Sequence, residues 1–124
     1  MKFDVCSPIL GFEGIKQVEL EKIDDTFMTM KSVDGEDDIS FTLVDPYALT
    51  EYEFVVPEHI KEMLNITDDS NVLVQNIVII QKPIEDSLVN FAAPLLFNTD
   101  TKQVAQGILD HYDVVEKISK FMDK

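Results

Sequence analysis

The most distinctive stretch of this chain is Val89-Asn90-Phe91-Ala92-Ala93-Pro94-Leu95-Leu96-Phe97-Asn98. It is an apolar run bracketed by asparagines and interrupted by a proline. Because proline cannot donate to a sheet ladder, Pro94 must lie at an edge, at a bulge or at the start of a strand. Asparagine favours turns and tolerates left-handed backbone, so Asn90 and Asn98 delimit the run. We interpret it as a motif rather than as a generic strand.

The rest of the chain consists mostly of short strands separated by turns. Apolar and polar residues alternate at 18–21 and 39–43, which is typical of half-buried strands. Between them, Asp34-Gly35-Glu36-Asp37-Asp38 predicts a hairpin turn, since Asp-Gly supplies the positive φ that tight turns need. Residues 72–80 are almost wholly apolar and predict a central strand. A last strand is predicted over 103–109.

Two segments have helical spacing instead. Pro57 is followed by acidic Glu58, and proline and acidic residues both favour the first turn of a helix. Ile60, Met63 and Leu64 lie three and four residues apart, so they form one buried stripe of a short internal helix. In residues 113–124 the apolar positions again recur at helical spacing, which predicts an amphipathic C-terminal helix.

Many short strands without βαβ alternation favour an antiparallel barrel or sandwich. We expect a mainly β fold, a small antiparallel β-barrel-like single domain over residues 1–124, with the internal helix and the C-terminal helix attached. At 124 residues the chain matches the length of one ordinary domain. A closed barrel would also hide the strand edges.

Charge is the most informative bulk property. The chain has 24 acidic and 10 basic residues, a formal charge of −14. Nucleic-acid affinity depends on lysine and arginine contacts to phosphates, and anionic membranes likewise attract basic segments. We therefore expect neither direct nucleic-acid binding nor membrane binding. An acidic surface instead attracts basic protein partners, or it serves only to keep the protein soluble.

No set of residues predicts an enzyme, a metal site or a cofactor. His59 and His111 lack the spacing of metal ligands, and Cys6 lacks basic neighbours that would lower its pKa. The acidic turn at 34–38 does not have the ligand spacing of a calcium loop. A single cysteine excludes an internal disulfide. The chain has no long apolar segment and no signal-peptide pattern at its start, so we expect a cytoplasmic protein.

Several segments together resemble the flagellar assembly factor FliW family. They follow the family's order along nearly the whole chain, and their agreement in order and spacing is much more specific than any one of them. The matching pieces are 8–13 (Pro-Ile-Leu-Gly-Phe-Glu), 41–46 (Phe-Thr-Leu-Val-Asp-Pro), 52–54 (Tyr-Glu-Phe), 90–98 and 105–109 (Ala-Gln-Gly-Ile-Leu). The chain departs from the family pattern at Phe91, where leucine is usual, and at Gly107, where valine is usual.

The resemblance implies a non-enzymatic protein with two partners. One is flagellin, held before export. The other is CsrA, an RNA-binding repressor of flagellin translation that FliW proteins antagonise. Binding to both couples flagellin synthesis to assembly. A basic RNA-binding protein suits an acidic partner, and an apolar flagellin helix suits a groove on this domain. We expect the protein to be monomeric when free.

The residues that contact these partners are inferred from physical arguments. Exposed aromatics are enriched at binding hot spots, which favours Phe12 in the Gly11-to-Gly14 loop and Tyr52. Glu13 lies beside Phe12. The acidic turn residues Glu36, Asp37 and Asp38 are candidates for contact with a basic partner. The competing interpretation is that the phenylalanines on alternating strands belong to the core.

Two other functions remain open at this stage. One is a dedicated flagellin export chaperone without a CsrA role. Charge reversal at the acidic turn separates it from the two-partner regulator, because only the basic partner responds strongly. The other is a small β-barrel enzyme with a carboxylate site, which requires an acid with a strongly raised pKa in a pocket.

Overall fold

A computed structural model describes residues 1–7, 9, 14–33, 39–49, 52, 54–83, 86–109 and 116–117. Nine strands lie within these residues. They are β1 (Lys2–Val5), β2 (Gln17–Lys22), β3 (Phe27–Ser32), β4 (Ser40–Val44), β5 (Val72–Ile79), β6 (Leu88–Val89), β7 (Leu95–Asn98), β8 (Gln103–Gln106) and β9 (Glu116–Lys117). A 3₁₀ turn spans Pro46–Ala48, and the helix α1 spans Glu58–Met63.

Seven of the strands form a closed barrel. β1 to β5 pair in sequence order, β5 pairs with β7, β7 with β8, and β8 returns to β1. The mainly β, barrel-like architecture predicted from the sequence is therefore confirmed. The pairs are antiparallel except β1 with β8, where Asp4 lies beside Gln103. A parallel pair needs a long connection, and nearly the whole chain separates these two strands.

The barrel interior is apolar because alternate side chains of each strand point inward. Phe3 and Phe97 meet at its centre with ring centroids 5.0 Å apart, edge to face. The buried side chains around them come from every strand of the barrel except β5, which adds the partly buried Leu73 and Ile77. Burying this set is the main stabilising contribution, since it removes the largest apolar area from water.

Connecting segments cover one part of the outer surface. Helix α1 packs Ile60 and Leu64 against Leu96 and Ala105 on the outside of β7 and β8. A second outer cluster brings Val44 and Val78 together with residues 49, 52, 89, 91 and 109. The helix predicted after Pro57 is confirmed, with Pro57 as its N-cap residue.

The two ends of the barrel differ in what emerges from them. We call "loop end" the end at which β1, β3, β5 and β8 finish and β2, β4 and β7 begin. The other end, the "turn end", holds the connections 23–26, 45–71 and 99–102. At the loop end Val33 N–H donates to Gln17 O at 3.0 Å, so the connection after β3 starts beside the point where the connection after β1 enters β2.

The predicted C-terminal helix is not confirmed. Within 113–124 the structure describes Glu116–Lys117, and these residues form β9, which pairs with β6. Pairing with Leu88 and Val89 satisfies backbone groups on the free side of β6. The helical spacing of this segment carries no information about a strand elsewhere in the chain that can pair with it, so the pattern alone predicts a helix. The other residues of the predicted helix lie outside the described part.

The described elements include no helix that is both long enough and apolar enough to cross a membrane.

Candidate partner-binding surface

Tyr52 is part of the fold rather than an exposed contact residue. It is 3% exposed, and its hydroxyl donates to the carbonyl oxygen of Phe91 at 2.6 Å. Its ring also lies 5.7 Å from the Phe91 ring and 5.3 Å from the Phe54 ring, centroid to centroid. The expectation of an exposed Tyr52 is therefore wrong. The tyrosine was predicted from its residue type, and its burial follows from the segment that folds over β4 and β5.

Asn76 extends this buried network. It is 0% exposed, and its side-chain amide donates to Asn90 O at 2.8 Å and to the Tyr52 hydroxyl at 3.4 Å. Asn90 in turn accepts a hydrogen bond from Ala92 N–H at 3.1 Å through its Oδ1 atom. Two of the segments that carry the family resemblance, 52–54 and 90–98, are therefore joined by hydrogen bonds through β5.

Asn98 closes the second of these segments. Its side-chain amide donates to Leu64 O at 2.8 Å, which satisfies a carbonyl at the end of α1. Its Oδ1 accepts from Asp100 N–H at 3.0 Å and so fixes the turn into β8. Pro94 lies directly before β7, at a strand start, as the sequence predicts. The motif residues thus hold the outer segments on the barrel.

The other sequence-predicted contact residues lie outside the described residues. They are Phe12, Glu13, Glu36, Asp37 and Asp38. The residues that flank their segments are described, and these flanking residues lie at the loop end. Cys6 follows β1, where its N–H donates to Val104 O at 2.8 Å, and Ser32 N–H donates to Ile39 O at 2.9 Å. Chain connectivity therefore starts both predicted segments from the same end of the barrel, and their contact with partners remains a prediction.

The loop end also exposes three isoleucines that the sequence pattern does not mark as surface residues. Ile79 is 44% exposed, Ile80 is 53% exposed and Ile108 is 64% exposed. Residues 79 and 80 end an almost wholly apolar segment, so the sequence pattern does not distinguish them from the core residues that precede them. Nothing in local sequence distinguishes the buried Val78 from its exposed neighbours.

The acidic surplus is unevenly distributed along the chain. Of the 24 acidic residues 11 lie outside the described part, against 2 of the 10 basic residues. In the described part, several acids of the turn end take part in local contacts. Asp25 pairs with Lys22 at 3.2 Å, and Asp45 Oδ1 accepts from Tyr47 N–H at 2.9 Å. On the outer faces of β2 and β3, Glu21 pairs with Lys31 at 3.7 Å.

Two carboxyl groups at the turn end have a lowered pKa. Hydrogen bonds from the backbone N–H groups of Phe27 and Thr26, both at 2.8 Å, lower the pKa of Asp24. The side-chain amide and backbone N–H of Asn71 lower the pKa of Asp100, with donor–acceptor distances of 3.0 and 2.9 Å. A general acid needs the opposite shift. Both residues act as turn-stabilising acceptors.

Cys6 does not have the setting of a reactive thiol. Partial burial raises its pKa, and the nearby Asp4 carboxylate acts in the same direction. A raised pKa reduces the thiolate fraction at neutral pH. Within the part of the chain that the structure describes, no group of three or more histidine, cysteine or acidic side chains is arranged to hold a metal ion.

Comparison with known sequences identifies the family. A family model described as FliW protein matches residues 2–118. The chain belongs to the FliW family. Flagellar assembly factor FliW from Sulfurimonas denitrificans is 54% identical over 127 aligned residues, which cover 100% of both chains. Flagellar assembly factor FliW 2 from Wolinella succinogenes is 44% identical, with 99% of this chain and 93% of the relative aligned.

A solved structure supports the fold independently. The crystal structure of the flagellar assembly factor FliW superimposes with a TM-score of 0.84, covering 94% of this chain and 84% of that chain. Sequence identity in this pair is 24%, so the match is one of fold. The resemblance noted in the sequence is thus confirmed. Within the matching segments, Tyr52 and Asn98 are buried and Asn90 is half-buried, and all three make hydrogen bonds to other segments or to the adjacent turn.

Proposed function

We propose that this protein is a non-enzymatic flagellar assembly factor of the cytoplasm that binds flagellin before export and binds CsrA. Binding CsrA would relieve repression of flagellin translation and couple synthesis to assembly. The observation that carries the proposal is the match to FliW proteins along the whole chain, including a relative that is 54% identical over its full length. Both relatives are flagellar assembly factors by name.

The charge of the chain supports a basic partner such as CsrA. A protein that grips RNA must present positive charge, and a chain with a formal charge of −14 attracts it. Attraction of this kind speeds encounter and weakens as salt screens it. The same negative charge disfavours direct binding of this protein to RNA.

The apolar side chains at the loop end support a protein partner in general. Exposed isoleucines on a rigid strand end supply apolar area that a partner can bury. The non-enzymatic assignment rests on membership of a family of flagellar assembly factors.

Calorimetric titration tests both partners. CsrA is titrated into the protein alone and into the protein saturated with flagellin, each at low and at high salt. We expect CsrA binding that weakens with salt and that is abolished by bound flagellin. Flagellin binding without CsrA binding would leave an export chaperone. Binding to neither partner would contradict the proposal.

Charge reversal tests the electrostatic part of the proposal. The variant Glu36→Lys/Asp37→Lys/Asp38→Lys should weaken CsrA binding far more than flagellin binding, because only CsrA is recognised through its positive charge. The control is Asp68→Lys/Asp69→Lys, which reverses two adjacent exposed acids at the turn end. Equal losses for both partners, or an equal effect of the control, would contradict this account.

A further inference from the structure

Strand β9 covers one edge of β6 and is held there weakly. Within the described residues β9 pairs only with β6, through a ladder of two residues in which Lys117 lies opposite Leu88 and Glu116 opposite Val89. Lys117 Nζ also lies 3.6 Å from Asp86 Oδ1, with 62% of the lysine side chain and 48% of the aspartate side chain exposed. Exposed ion pairs contribute little to stability. Detachment of β9 from β6 therefore costs little.

The edge beneath β9 is anchored independently of it. β6 pairs on its other side with β5, and Val89 is 0% exposed within the outer cluster that also contains Val44 and Val78. Ser87, directly before β6, is 1% exposed, and its Oγ accepts a hydrogen bond from Gln81 N–H at 3.0 Å. None of these contacts involves β9, so β6 keeps its place when β9 leaves.

Detachment of β9 leaves the backbone groups of Val89 facing outward. Asn90 N–H donates to Ile77 O at 3.0 Å, so Asn90 and, two residues earlier, Leu88 direct their backbone groups toward β5. The N–H and C=O of Val89, which lies between them, are directed toward β9 instead. A strand edge of this kind is a template for another extended chain, which binds it through main-chain hydrogen bonds.

The side chains along this edge favour a different strand from β9. Leu88 is half-buried, and Ile79, its partner in β5, is 44% exposed. Lys117 lies opposite Leu88 in β9, and because cross-strand neighbours share a face, the three side chains form one row. A lysine covers this apolar pair only with its aliphatic stem. An apolar residue at that position would bury more of Leu88 and Ile79.

We propose that the outer edge of β6 is a docking site for an extended segment of a protein partner, and that β9 is a built-in competitor for it. The partner segment pairs antiparallel with β6 and places an apolar residue opposite Leu88. Two positions later it carries a basic residue, which the continued register brings opposite Asp86. The formal charge of −14 favours the approach of such a segment. This site is additional to the proposed function, and neither partner named there is needed for it.

Competition with a peptide tests the site. The probe is a short peptide of alternating valine and threonine in which one valine is replaced by lysine. It is titrated into the isotopically labelled protein and into a chain that ends at residue 115 and so lacks β9. We expect the shortened chain to bind about tenfold more tightly, because its own strand no longer occupies the edge. In the full chain, NMR shift changes should centre on residues 86–89, and the amide signals of Glu116 and Lys117 should move to those of unpaired chain.

Two point variants extend the test. In the full chain, Glu116→Pro removes the N–H opposite Val89 and should raise peptide affinity, since proline cannot donate to the ladder. In the shortened chain, Asp86→Lys should lower the affinity for the lysine-bearing peptide. The control there is Asp68→Lys, which makes the same charge change at an exposed acid of the turn end and should lower the affinity far less. No peptide binding to the shortened chain, equal affinity for the full and shortened chains, or shift changes away from residues 86–89 would overturn the inference.

Discussion

The Tyr52 hydroxyl makes a buried hydrogen bond whose loss should be measurable. Tyr52→Phe keeps the ring contacts but removes the donor to Phe91 O. We expect unfolding free energy to fall by about 1–3 kcal/mol, because a buried carbonyl loses its partner. The control is Tyr47→Phe, because Tyr47 is 54% exposed. Urea denaturation measures both, and equal losses would contradict the role of the Tyr52 bond.

Asn98 should be sensitive to an almost isosteric change. Asn98→Asp replaces an amide that donates to Leu64 O by a carboxylate that cannot donate. At neutral pH we expect a loss of about 3 kcal/mol, as for an uncompensated buried charge. Burial raises the pKa of a carboxyl group, so the loss should shrink as pH falls and the protonated group donates again. A loss that does not depend on pH would contradict this mechanism.

The lowered pKa of Asp100 predicts a contribution to folding stability that is lost at low pH, whereas the cost of Asn98→Asp shrinks at low pH. Its carboxylate is favoured in the folded state by the two Asn71 donors, so its contribution is present above the ordinary pKa of 3.8. It is lost as pH falls through the lower folded value. The stability difference between the unsubstituted protein and Asp100→Asn should therefore narrow below pH 3.8. Denaturation at about pH 7 and about pH 2.5 measures it, and a constant difference would contradict the shift.

At the scale of elements, α1 depends on one buried stripe. Ile60 is 2% exposed against Leu96 and Ala105. Ile60→Ala should cost about 2–5 kcal/mol of unfolding free energy, since it leaves a cavity between helix and barrel. His59→Ala changes an exposed neighbour in the same turn and should cost little. Similar costs for the two variants would mean that the helix is not anchored through this stripe.

The elements also differ in how far sequence could predict them. The 57–64 segment signals its helix locally, through Pro57 and an apolar stripe, and α1 forms there. The 113–124 segment has equally helical spacing, yet Glu116–Lys117 within it form a strand, because β6 offers them a pairing edge. Local patterns therefore predicted the helix that packs through one apolar stripe. They failed where a strand distant in sequence offered a pairing edge.

At the scale of the whole molecule, the net charge should oppose folding. With a formal charge of −14 on 124 residues, repulsion is stronger in the compact state than in the unfolded chain. We expect the unfolding free energy to rise between about 0.01 M and about 0.15 M potassium chloride, as screening shortens the Debye length. Urea denaturation at the two salt concentrations measures it. A fall in stability with salt would mean that favourable ion pairs outweigh the repulsion.

The candidate surface shows the same division between local and distant information. Glu36, Asp37 and Asp38 could be selected from sequence because a run of acids is visible without a fold. The residue type of Tyr52 predicts an exposed aromatic contact, whereas the structure buries it, with its hydroxyl bonded to Phe91, which lies far away in sequence. Ile108 was not selected at all, since only the pairing of 107 and 109 with the segment before β7 leaves it outside.

By itself, the sequence determined the strand-rich architecture, the helix after Pro57, the start of β7 after Pro94 and the family. Each of these depends on the spacing of nearby residues or on short segments in a fixed order. Tertiary structure alone decided the parallel closure of β1 on β8, the pairing of β9, the burial of Tyr52 and the exposure of Ile79, Ile80 and Ile108. These depend on which strands become neighbours, and neighbours in a barrel are set by packing of the whole chain.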